Sequence, residues 1–462
     1  MNQADGTRGP TIDGGGASHR LEADYLVDVA DGTVGGDRTD GTNGVVVVAN
    51  AAIDVGPDGR IAAVGSIADL GPAPGPVHRI GGLIMPGLVN AHAHTPMTLV
   101  RSVGDGMVLD RWLKEGVWPR EARMTPEDVW WGMVGGSMEM LEAGVTTSCE
   151  MYLFEQAVAD AVDHTGGRAV VTPGVISALS PGGRVDGRVG EIVDFHRRFN
   201  DPDGRITVGF APHSVYDLTP EQCGEIAAAA AEVGALLHIH LEETEAERLL
   251  VLDRYGRPAT RLLADSGVFS AKTVAAHGVW LDQDDRRILA EAEASVAHCP
   301  ISNLKLGSGL APVEELLSSG VTVGLGTDGP ASNDNLDLWE EMKLAPLLAR
   351  GRTLDPEVMS ASTALRLATR SAAQAIGLHD VGHLSVGAWA DLIRIDLDHP
   401  AFQPGDDLIA HLVFAGSSRH VTDVWVGGRQ VVKAGRISTV DRERVVAELG
   451  SRGRRLRARA GS

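Results

Sequence analysis

The sequence predicts an α/β protein with a TIM-type (β/α)8 barrel and a small β-sandwich domain built from both ends of the chain. The chain has 462 residues, which is enough for a large barrel and a second, smaller domain. Through its middle, short apolar runs alternate with segments of helical periodicity, as they do in parallel sheets. On both sides of this middle region, short strand-like runs are separated by Gly, Pro and Asp.

These patterns divide the chain into five parts. Residues 1–20 are expected to form a flexible lead, because the chain begins with a stretch rich in Gly, Asp and Thr that lacks the apolar segment of a signal peptide. The sandwich should use residues 21–85 and 382–440, the barrel residues 86–381, and residues 441–462 should form a helix with a basic tail. This arginine-rich tail could contact nucleic acid, but we favour a solvated helix end.

Short β-like runs flank the barrel region on both sides. Two precede it, at Val45–Val48 and Ile61–Val64, and two follow it, at Asp391–Ile395 and Asp423–Val426. Each pair is too small to form a core alone, so we expect all four runs to share one sheet domain.

The barrel region contains eight candidate strands, which is the number that a (β/α)8 barrel requires. Helical segments such as Gln222–Val233 and Pro312–Ser319 separate them. In such a barrel the functional residues lie where the strands end, at their carboxyl edge. The predicted strands are Gly87–His94, Gly144–Glu150, Arg168–Val175, Ile206–His213, Ala235–His240, Thr273–His277, Ala294–His298 and Val321–Asp328.

The composition narrows the class of partner. Hydrophobic residues make up 43% and charged residues 22% of the chain, as in ordinary globular proteins. The formal net charge is −21, so nucleic acid is not an expected partner and a small molecule is. Solubility alone is a sufficient explanation of this acidity.

Cysteine usage and hydropathy bear on the cellular compartment. The three cysteines, Cys149, Cys223 and Cys299, are too few for a disulfide framework and form no CxxC pair, which fits a reducing compartment. No apolar run approaches the ~18 residues needed to span a bilayer. We therefore expect a soluble, cytoplasmic protein without a membrane partner, and leave open whether it forms a homo-oligomer.

Residues that can bind a metal end several of the predicted strands. His92 and His94 close the first strand, and residues two apart in a strand point the same way, here into the barrel mouth. The fifth strand ends His238-Ile239-His240 and the eighth ends at Asp328. Three neutral imidazoles and one carboxylate suit Zn²⁺ or Fe²⁺ with an open position for water. A lone His-x-His is a weak signal; the coincidence at several strand ends is what predicts a metal site.

Five motifs make the chain resemble the amidohydrolase superfamily, in the branch that holds S-adenosylhomocysteine and methylthioadenosine deaminases and the s-triazine hydrolases. The resemblance extends from about residue 23 to residue 437. The motifs are Pro86–His94, His240–Thr244, Ala276–Gly278, Ser302–Lys305 and Gly326–Asn333.

The resemblance implies a metal held by His92, His94, His240 and Asp328. It selects His240 over His238, because the family's ligand directly precedes a Leu-x-Glu segment. His238 is then a packed, hydrogen-bonded core residue. Binuclear relatives use a lysine at the end of the fourth strand, where this chain has His213, so one metal is expected.

The resemblance also implies roles in catalysis. Glu243 would protonate the substrate ring, although by residue type alone it could be a surface glutamate. His277 would orient the nucleophile and stabilise developing charge. Asp328 would accept a proton from water and pass it to the leaving amine. His298 could support the metal site, but a buried structural histidine is the interpretation we favour.

The long segment 95–121 after the first strand is where binding loops belong, and it carries Trp112 and Glu121. The resemblance implies that Glu121 binds the ribose hydroxyls, His213 contacts the nucleoside near its sugar and Ser332 touches the ring edge. A solvated Glu121 between two arginines is the alternative.

Relatives that bind homocysteine use two arginines for its carboxylate. Pro173 stands where the first would fall, and Arg184 resembles the second. Uncharged 5′-modified adenosines are therefore the predicted better substrates.

The resulting prediction is a metal-dependent hydrolytic deaminase of adenosine-type nucleosides. The alternative within the same chemistry is another ring: guanine, 8-oxoguanine, a pterin or an s-triazine. A non-enzymatic scaffold is the alternative of a different class, but such proteins typically lose metal ligands and this chain retains all four.

Overall fold

The computed structural model of the protein describes residues 17–29, 44–179 and 187–458. The strands are β1 (His19–Val29), β2 (Val45–Val55), β3 (Ile61–Ser66), β4 (Val77–Arg79), β5 (Leu83–Pro86), β6 (Leu88–Ala93), β7 (Val145–Tyr152), β8 (Arg168–Val175), β9 (Ile206–Val208), β10 (Ala211–Pro212), β11 (Leu237–Leu241), β12 (Thr273–His277), β13 (Ser295–His298), β14 (Val323–Leu325), β15 (Leu392–Ile395), β16 (Val421–Val426), β17 (Arg429–Lys433) and β18 (Arg436–Ile437).

Helices separate most strands of the middle region. They are α1 (Leu109–Arg111), α2 (Trp118–Glu121), α3 (Pro126–Glu142), α4 (Glu155–Thr165), α5 (Arg188–Phe199), α6 (Pro220–Glu232), α7 (Glu245–Tyr255), α8 (Ala259–Asp265), α9 (Gln283–Glu291), α10 (Pro300–Lys305), α11 (Val313–Ser318), α12 (Leu338–Thr353), α13 (Ala361–Leu367), α14 (Arg370–Ala375), α15 (Leu408–Phe414) and α16 (Arg442–Arg457). In the part of the chain that the structure describes, none of these helices is long and apolar enough to cross a membrane.

Two parallel sheets form the middle of the molecule. One has the strand order β10-β8-β7-β6, with β9 paired to β8, and the other has the order β11-β12-β13-β14. Each of the eight predicted strands coincides with an observed one, and the parallel α/β architecture is as predicted. The fourth is interrupted at Gly209, where a Cβ atom would lie 2.6 Å from the carbonyl oxygen of Leu236. The close approach favours glycine at this position, and the predicted strand is observed as the two short strands β9 and β10.

Single parallel bridges join the edges of the two sheets. Ala93 pairs with Asp328, and Phe210 pairs with Leu237. Beside the first bridge, the N–H of Asp328 donates to the carbonyl oxygen of His92 at 3.0 Å. The ends of β6 and β14 therefore lie side by side, although 230 residues and most of the fold separate them along the chain.

Both ends of the chain contribute to one nine-stranded sheet, in the order β18-β17-β16-β15-β5-β1-β2-β3 with β4 paired to β1. The junction is the antiparallel pairing of β5 with β15, in which Leu392 lies opposite Pro86 and Ile395 opposite Leu83. Early and late strands therefore share one sheet, as predicted, and the assignment of this sheet to a separate domain stays a prediction. All four residues of β5 are buried, so the junction belongs to the core.

The basic tail lies against the molecule along α16. Arg452 donates to Asp128 at 2.9 Å and to Glu127 at 2.7 Å, and Arg455 also contacts Asp128. Asp128 itself caps α3 through its hydrogen bonds with Thr125. The prediction of a solvated helix end is therefore wrong for Arg452, whose side chain is only 15% exposed. Glu448, four residues earlier, also pairs with Arg452 at 3.0 Å, but Glu127 and Asp128 lie more than 300 residues away in the sequence, so no local pattern could reveal those two contacts.

Candidate active site

The polar residues predicted from the strand ends surround one cavity of about 570 Å³. β11, β12, β13 and β14 lie side by side in one parallel sheet, and the end of β6 is bridged to the segment after β14, so these strands end at one edge. Three of the predicted metal ligands line this cavity: His94, His240 and Asp328. The fourth, His92, is fully buried and is not part of the lining.

The acceptor atoms of the predicted metal ligands converge. His94 Nε2 lies 3.2 Å from His240 Nε2, and Asp328 Oδ1 lies 3.2 Å from His92 Nε2 and 3.3 Å from His94 Nε2. The Nδ1 atoms of His94 and His240 face main-chain carbonyl oxygens, of Met151 at 2.6 Å and of His213 at 3.0 Å. Since a carbonyl oxygen only accepts, each Nδ1 must carry the proton, and the two Nε2 lone pairs face each other.

Such an arrangement of lone pairs is repulsive unless a cation lies between them. The buried Nε2 of His92 has no hydrogen-bond partner, as expected for an atom kept free for a metal. Burial lowers the pKa of His92 to about 3 and the pKa of His240 well below its usual range, so both rings are neutral. Neutral imidazoles and one carboxylate are a donor set for a divalent transition metal, so the cluster fits the predicted cation.

Asp328 uses its two carboxylate oxygens differently. Oδ1 faces the histidines, whereas Oδ2 accepts hydrogen bonds from the hydroxyls of Ser302 and Ser332, both at 2.6 Å. Ser332 is fully buried and is not part of the cavity lining, so its predicted contact with a substrate ring stays a prediction. Ser302 was not singled out by the sequence, although it lies in a motif that carries the family resemblance.

Two strand ends at the site have strained backbone. His277 and Asp328 have φ angles of 75° and 60°, in the left-handed region that non-glycine residues rarely adopt. Such conformations cost about 1–3 kcal/mol each and persist where the surrounding structure holds them. His277 ends β12 and Asp328 lies three residues after β14, and both residues line the cavity.

Glu243 and His277 lie together at the cavity wall. His277 Nε2 is 3.8 Å from Glu243 Oε2, and His277 Nδ1 is 2.9 Å from Asn303 Oδ1. Burial, assisted by the nearby negative charge of Asp328, raises the pKa of Glu243 well above its usual value. Glu243 is thus a buried acid that lines the cavity and whose protonated form is favoured by burial, and its position does not support the alternative of a surface glutamate.

The predicted substrate-binding residues Glu121, Trp112 and His213 also line this cavity, and His213 lies beside His240 with 4.8 Å between ring centroids. Glu121 is only 5% exposed, so it is not the solvated residue of the alternative interpretation. Burial raises the pKa of Glu121, and a hydrogen bond with the Tyr152 hydroxyl only partly offsets this effect. Trp112 is fixed by its Nε1, which donates to the carbonyl oxygen of Val103 at 2.8 Å. His213 stacks edge-on toward Trp118 with 6.5 Å between ring centroids.

The sequence also singled out Arg184 and His298. Arg184 lies outside the described residues. His298 is 2% exposed and lines a different cavity, and neither of its ring nitrogens has a hydrogen-bond partner. The preferred interpretation of His298 as a buried histidine away from the metal cluster agrees with this position.

The described lining carries carboxylates and apolar side chains but neither lysine nor arginine. Its apolar part consists of Met97, Leu109, Trp112, Leu113, Trp118, Met151, Leu153, Ile176 and Leu306. An environment of this kind suits a flat, largely uncharged molecule, since ligand sites combine apolar walls with a few polar groups that fix orientation.

Known proteins resemble the chain over nearly all of its length. A 5-methylthioadenosine/S-adenosylhomocysteine deaminase of Pelotomaculum thermopropionicum is 42% identical over 414 residues, which are 89% of this chain and 93% of that protein. The corresponding deaminase of Moorella thermoacetica is 42% identical over 370 residues, 80% of this chain and 86% of that protein.

A solved structure is also similar to the chain over nearly all of its length. An adenosine deaminase from Xanthomonas campestris with bound zinc has a TM-score of 0.87 and 33% identity, covering 95% of this chain and 98% of that one. The model of the amidohydrolase family matches residues 83–431. The resemblance predicted from the motifs is confirmed: the chain belongs to the amidohydrolase family.

Proposed function

We propose that the protein is a metal-dependent deaminase of adenosine-type nucleosides, which releases ammonia and leaves the inosine analogue. The observation that carries this proposal is the cavity itself. Glu243, whose pKa is raised by burial, and the buried Glu121 line the same cavity as the predicted ligands His94, His240 and Asp328. The deaminase names of the relatives and the adenosine deaminase among the similar structures support the same reaction.

We infer one divalent cation, zinc, held by His92, His94, His240 and Asp328. Convergent lone pairs at these four residues support it, as does zinc in the structurally similar adenosine deaminase. When bound, such a cation activates a water molecule as the nucleophile. His213, which stands where binuclear relatives have a bridging lysine, donates no side-chain atom to the cluster, and this supports a single cation.

The residues around the cation site would move the protons of the reaction. Glu243, whose pKa is raised by burial, is suited to protonate the ring nitrogen as the attacked carbon becomes tetrahedral. Asp328, with Oδ1 directed to the site and Oδ2 held by two serines, is suited to take up the proton of the nucleophile and return it to the amine. His277, fixed by Asn303, would stabilise the developing charge.

The remainder of the nucleoside would occupy the end of the cavity near Glu121. Its carboxylate can accept both vicinal ribose hydroxyls, and His213 would lie beside the sugar. The apolar lining supports an uncharged 5′ group, as in 5′-methylthioadenosine or 5′-deoxyadenosine, over the charged tail of S-adenosylhomocysteine. Pro173, in place of an arginine, supports the same order of preference.

We also infer that the two bridged parallel sheets form one closed (β/α)8 barrel and that the nine-stranded sheet folds into a sandwich beside it. The single bridges at Ala93 and Phe210 support closure, since they join the free edges of both sheets. The domain boundaries would then be those predicted above, with the barrel at residues 86–381. We propose a cytoplasmic location, which the three buried, free cysteines support.

An ammonia-release screen tests the proposed function. Zinc-loaded protein would be assayed with 5′-methylthioadenosine, 5′-deoxyadenosine, S-adenosylhomocysteine, adenosine, guanine, 8-oxoguanine, a pterin and an aminated s-triazine. We expect the uncharged 5′-modified adenosines to have the highest kcat/KM. A higher value for guanine or the triazine would reassign the substrate. Bound zinc without any turnover would support a scaffold instead.

A further inference from the structure

The histidines at the metal site fix their ring protons in two different ways. His94, His240 and His277 each direct Nδ1 at an oxygen that can only accept, at 2.6, 3.0 and 2.9 Å. Their Nδ1 atoms are therefore protonated and their Nε2 lone pairs are available. His92 has no such oxygen. Its Nδ1 lies 2.7 Å from Nε2 of His238, which can either donate or accept.

The direction of this histidine–histidine hydrogen bond decides whether His92 can bind a metal. If His238 donates, His92 Nδ1 is the acceptor and its proton sits on Nε2, which faces the site. If His238 accepts, the proton of His92 is on Nδ1 and the Nε2 lone pair points at the site. Another contact of His238 must therefore select between these two tautomers of His92.

The environment of His238 Nδ1 supplies that selection. Thr172 Oγ1 lies 3.1 Å from it, and the single proton of this hydroxyl goes to the carbonyl oxygen of Glu150 at 2.9 Å. Only lone pairs of Thr172 then face His238, so Nδ1 of His238 must donate. Cys149 Sγ, at 3.5 Å, is the weaker neighbour; its thiol could favour the opposite direction only by donating to Nδ1.

We propose that Thr172 and His238 form a hydrogen-bond relay that holds His92 in the tautomer whose Nε2 lone pair faces the metal site. Both are positioning residues, since they act on the cation only through His92. The relay rests on the proposed function in one respect, because it requires that the site bind a metal.

Because the relay is buried, the loss of one of its hydrogen bonds costs free energy. His92, His238 and Thr172 are all fully buried, so a lost partner cannot be replaced by bulk water. In a site of low polarity, each hydrogen bond also polarises the next one. Outer partners of metal-bound histidines typically contribute about 10- to 100-fold to metal affinity.

The experiment measures zinc affinity by competition with a chelator, and the visible spectrum of the cobalt-substituted protein. We expect His238→Phe and Thr172→Val to weaken zinc binding by about 10- to 100-fold and to change the cobalt bands. His238→Gln keeps an acceptor for His92, and Thr172→Ser keeps the hydroxyl. Both conservative variants should retain affinity and spectrum close to those of the unmodified protein.

Two controls separate the relay from general damage to the core. His298→Phe replaces another fully buried histidine at a neighbouring strand end, and Cys149→Ala removes the competing thiol. Neither should change zinc affinity. If Cys149→Ala weakens binding while Thr172→Val does not, the sulfur of Cys149 and not Thr172 accepts the proton of His238 Nδ1, and the proposal is wrong.

The remaining outcomes are equally decisive. If the unmodified protein binds no zinc, the proposed function fails and the relay with it. If it binds zinc, and His238→Phe and Thr172→Val bind it equally well, only the relay fails. If His238→Gln loses as much affinity as His238→Phe, ring volume and not hydrogen bonding is the cause. Should His238→Phe not fold, the comparison of Thr172→Val with Thr172→Ser decides.

Discussion

Glu247 holds the main chain of Glu243: its Oε2 accepts the N–H of Glu243 at 2.8 Å. Its other oxygen accepts the N–H of Glu242 at 3.2 Å, and Glu242 has a left-handed φ of 49°. One buried carboxylate thus fixes the turn between His240 and helix α7. Glu243 lies in this turn, so the position of its side chain in the cavity depends on Glu247.

Removing this carboxylate should impair the reaction without removing the metal. We expect Glu247→Ala to lower kcat by about 10- to 100-fold, because small displacements of a reacting group have effects of that size. Steady-state kinetics and zinc content measure the two effects. Glu245→Ala, on the exposed side of the same helical turn, is the control and should behave like the unmodified protein. Loss of zinc in Glu247→Ala would show instead that Glu247 supports His240.

Glu243 should act as an acid whose proton persists above the usual range of a glutamate. Because burial raises its pKa, the protonated form is lost only as the pH rises through that raised pKa, and kcat/KM should fall there. Glu243→Gln should lower kcat by about 10²- to 10⁴-fold and abolish this descending limb. The pH dependence of kcat/KM measures both. A descending limb that survives in the Gln variant would assign it to another group.

Glu121 should discriminate substrates by their ribose hydroxyls. Glu121→Gln should lower kcat/KM for 5′-deoxyadenosine by about 10- to 100-fold, since a hydrogen bond to a charged group contributes about 1.5–3 kcal/mol. The 2′,3′-dideoxy analogue lacks the groups that the carboxylate would bind, so its kcat/KM should change little. Equal losses for both substrates would mean that Glu121 supports the cavity without contacting the sugar.

The ion pair of Arg168 and Asp391 should stabilise the junction between β8 and the nine-stranded sheet. Its N···O distances are 2.6 and 3.1 Å, and both side chains are nearly inaccessible, at 4% and 1% exposure. Asp391→Asn would leave the guanidinium buried without a counter-charge, so the free energy of unfolding should fall by about 3–5 kcal/mol. Denaturant titration measures it.

A surface pair provides the control for this stability measurement. Glu291, paired with Arg287 on α9, is exposed, and Glu291→Gln should leave the free energy of unfolding nearly unchanged. Equal effects of the two substitutions would mean that the buried pair contributes no more than an exposed one.

The sequence predicted the parallel strands well because they have local signals, and the structure brings the four predicted ligand residues together. Apolar runs mark the parallel strands, and His92, His94, His240 and Asp328 each follow such a run directly. The same pattern of apolar runs mispredicted the lengths of strands that involve a contact distant in sequence. One example is Gly209, whose main chain packs against the carbonyl oxygen of Leu236.

Residues that support the site through other residues were missed for a physical reason. Glu247 lies three positions after Thr244, and this Thr-x-x-Glu spacing already has a complete explanation as a helix start, with Thr244 capping α7. Ser302, Asn303 and Tyr152 likewise act through contacts with partners far away in sequence. Such contacts exist only after the chain has folded.

The pairing of β5 with β15 has a consequence for synthesis on the ribosome. Leu83–Pro86 is made early, yet its neighbour Leu392–Ile395 is made more than 300 residues later. In the meantime one edge of a wholly apolar strand offers unsatisfied main-chain groups to any other nascent polypeptide. A chain that ends before about residue 392 would keep this strand edge unpaired. We therefore expect truncated translation products to aggregate. In the full-length protein, β15 pairs with the edge and covers it.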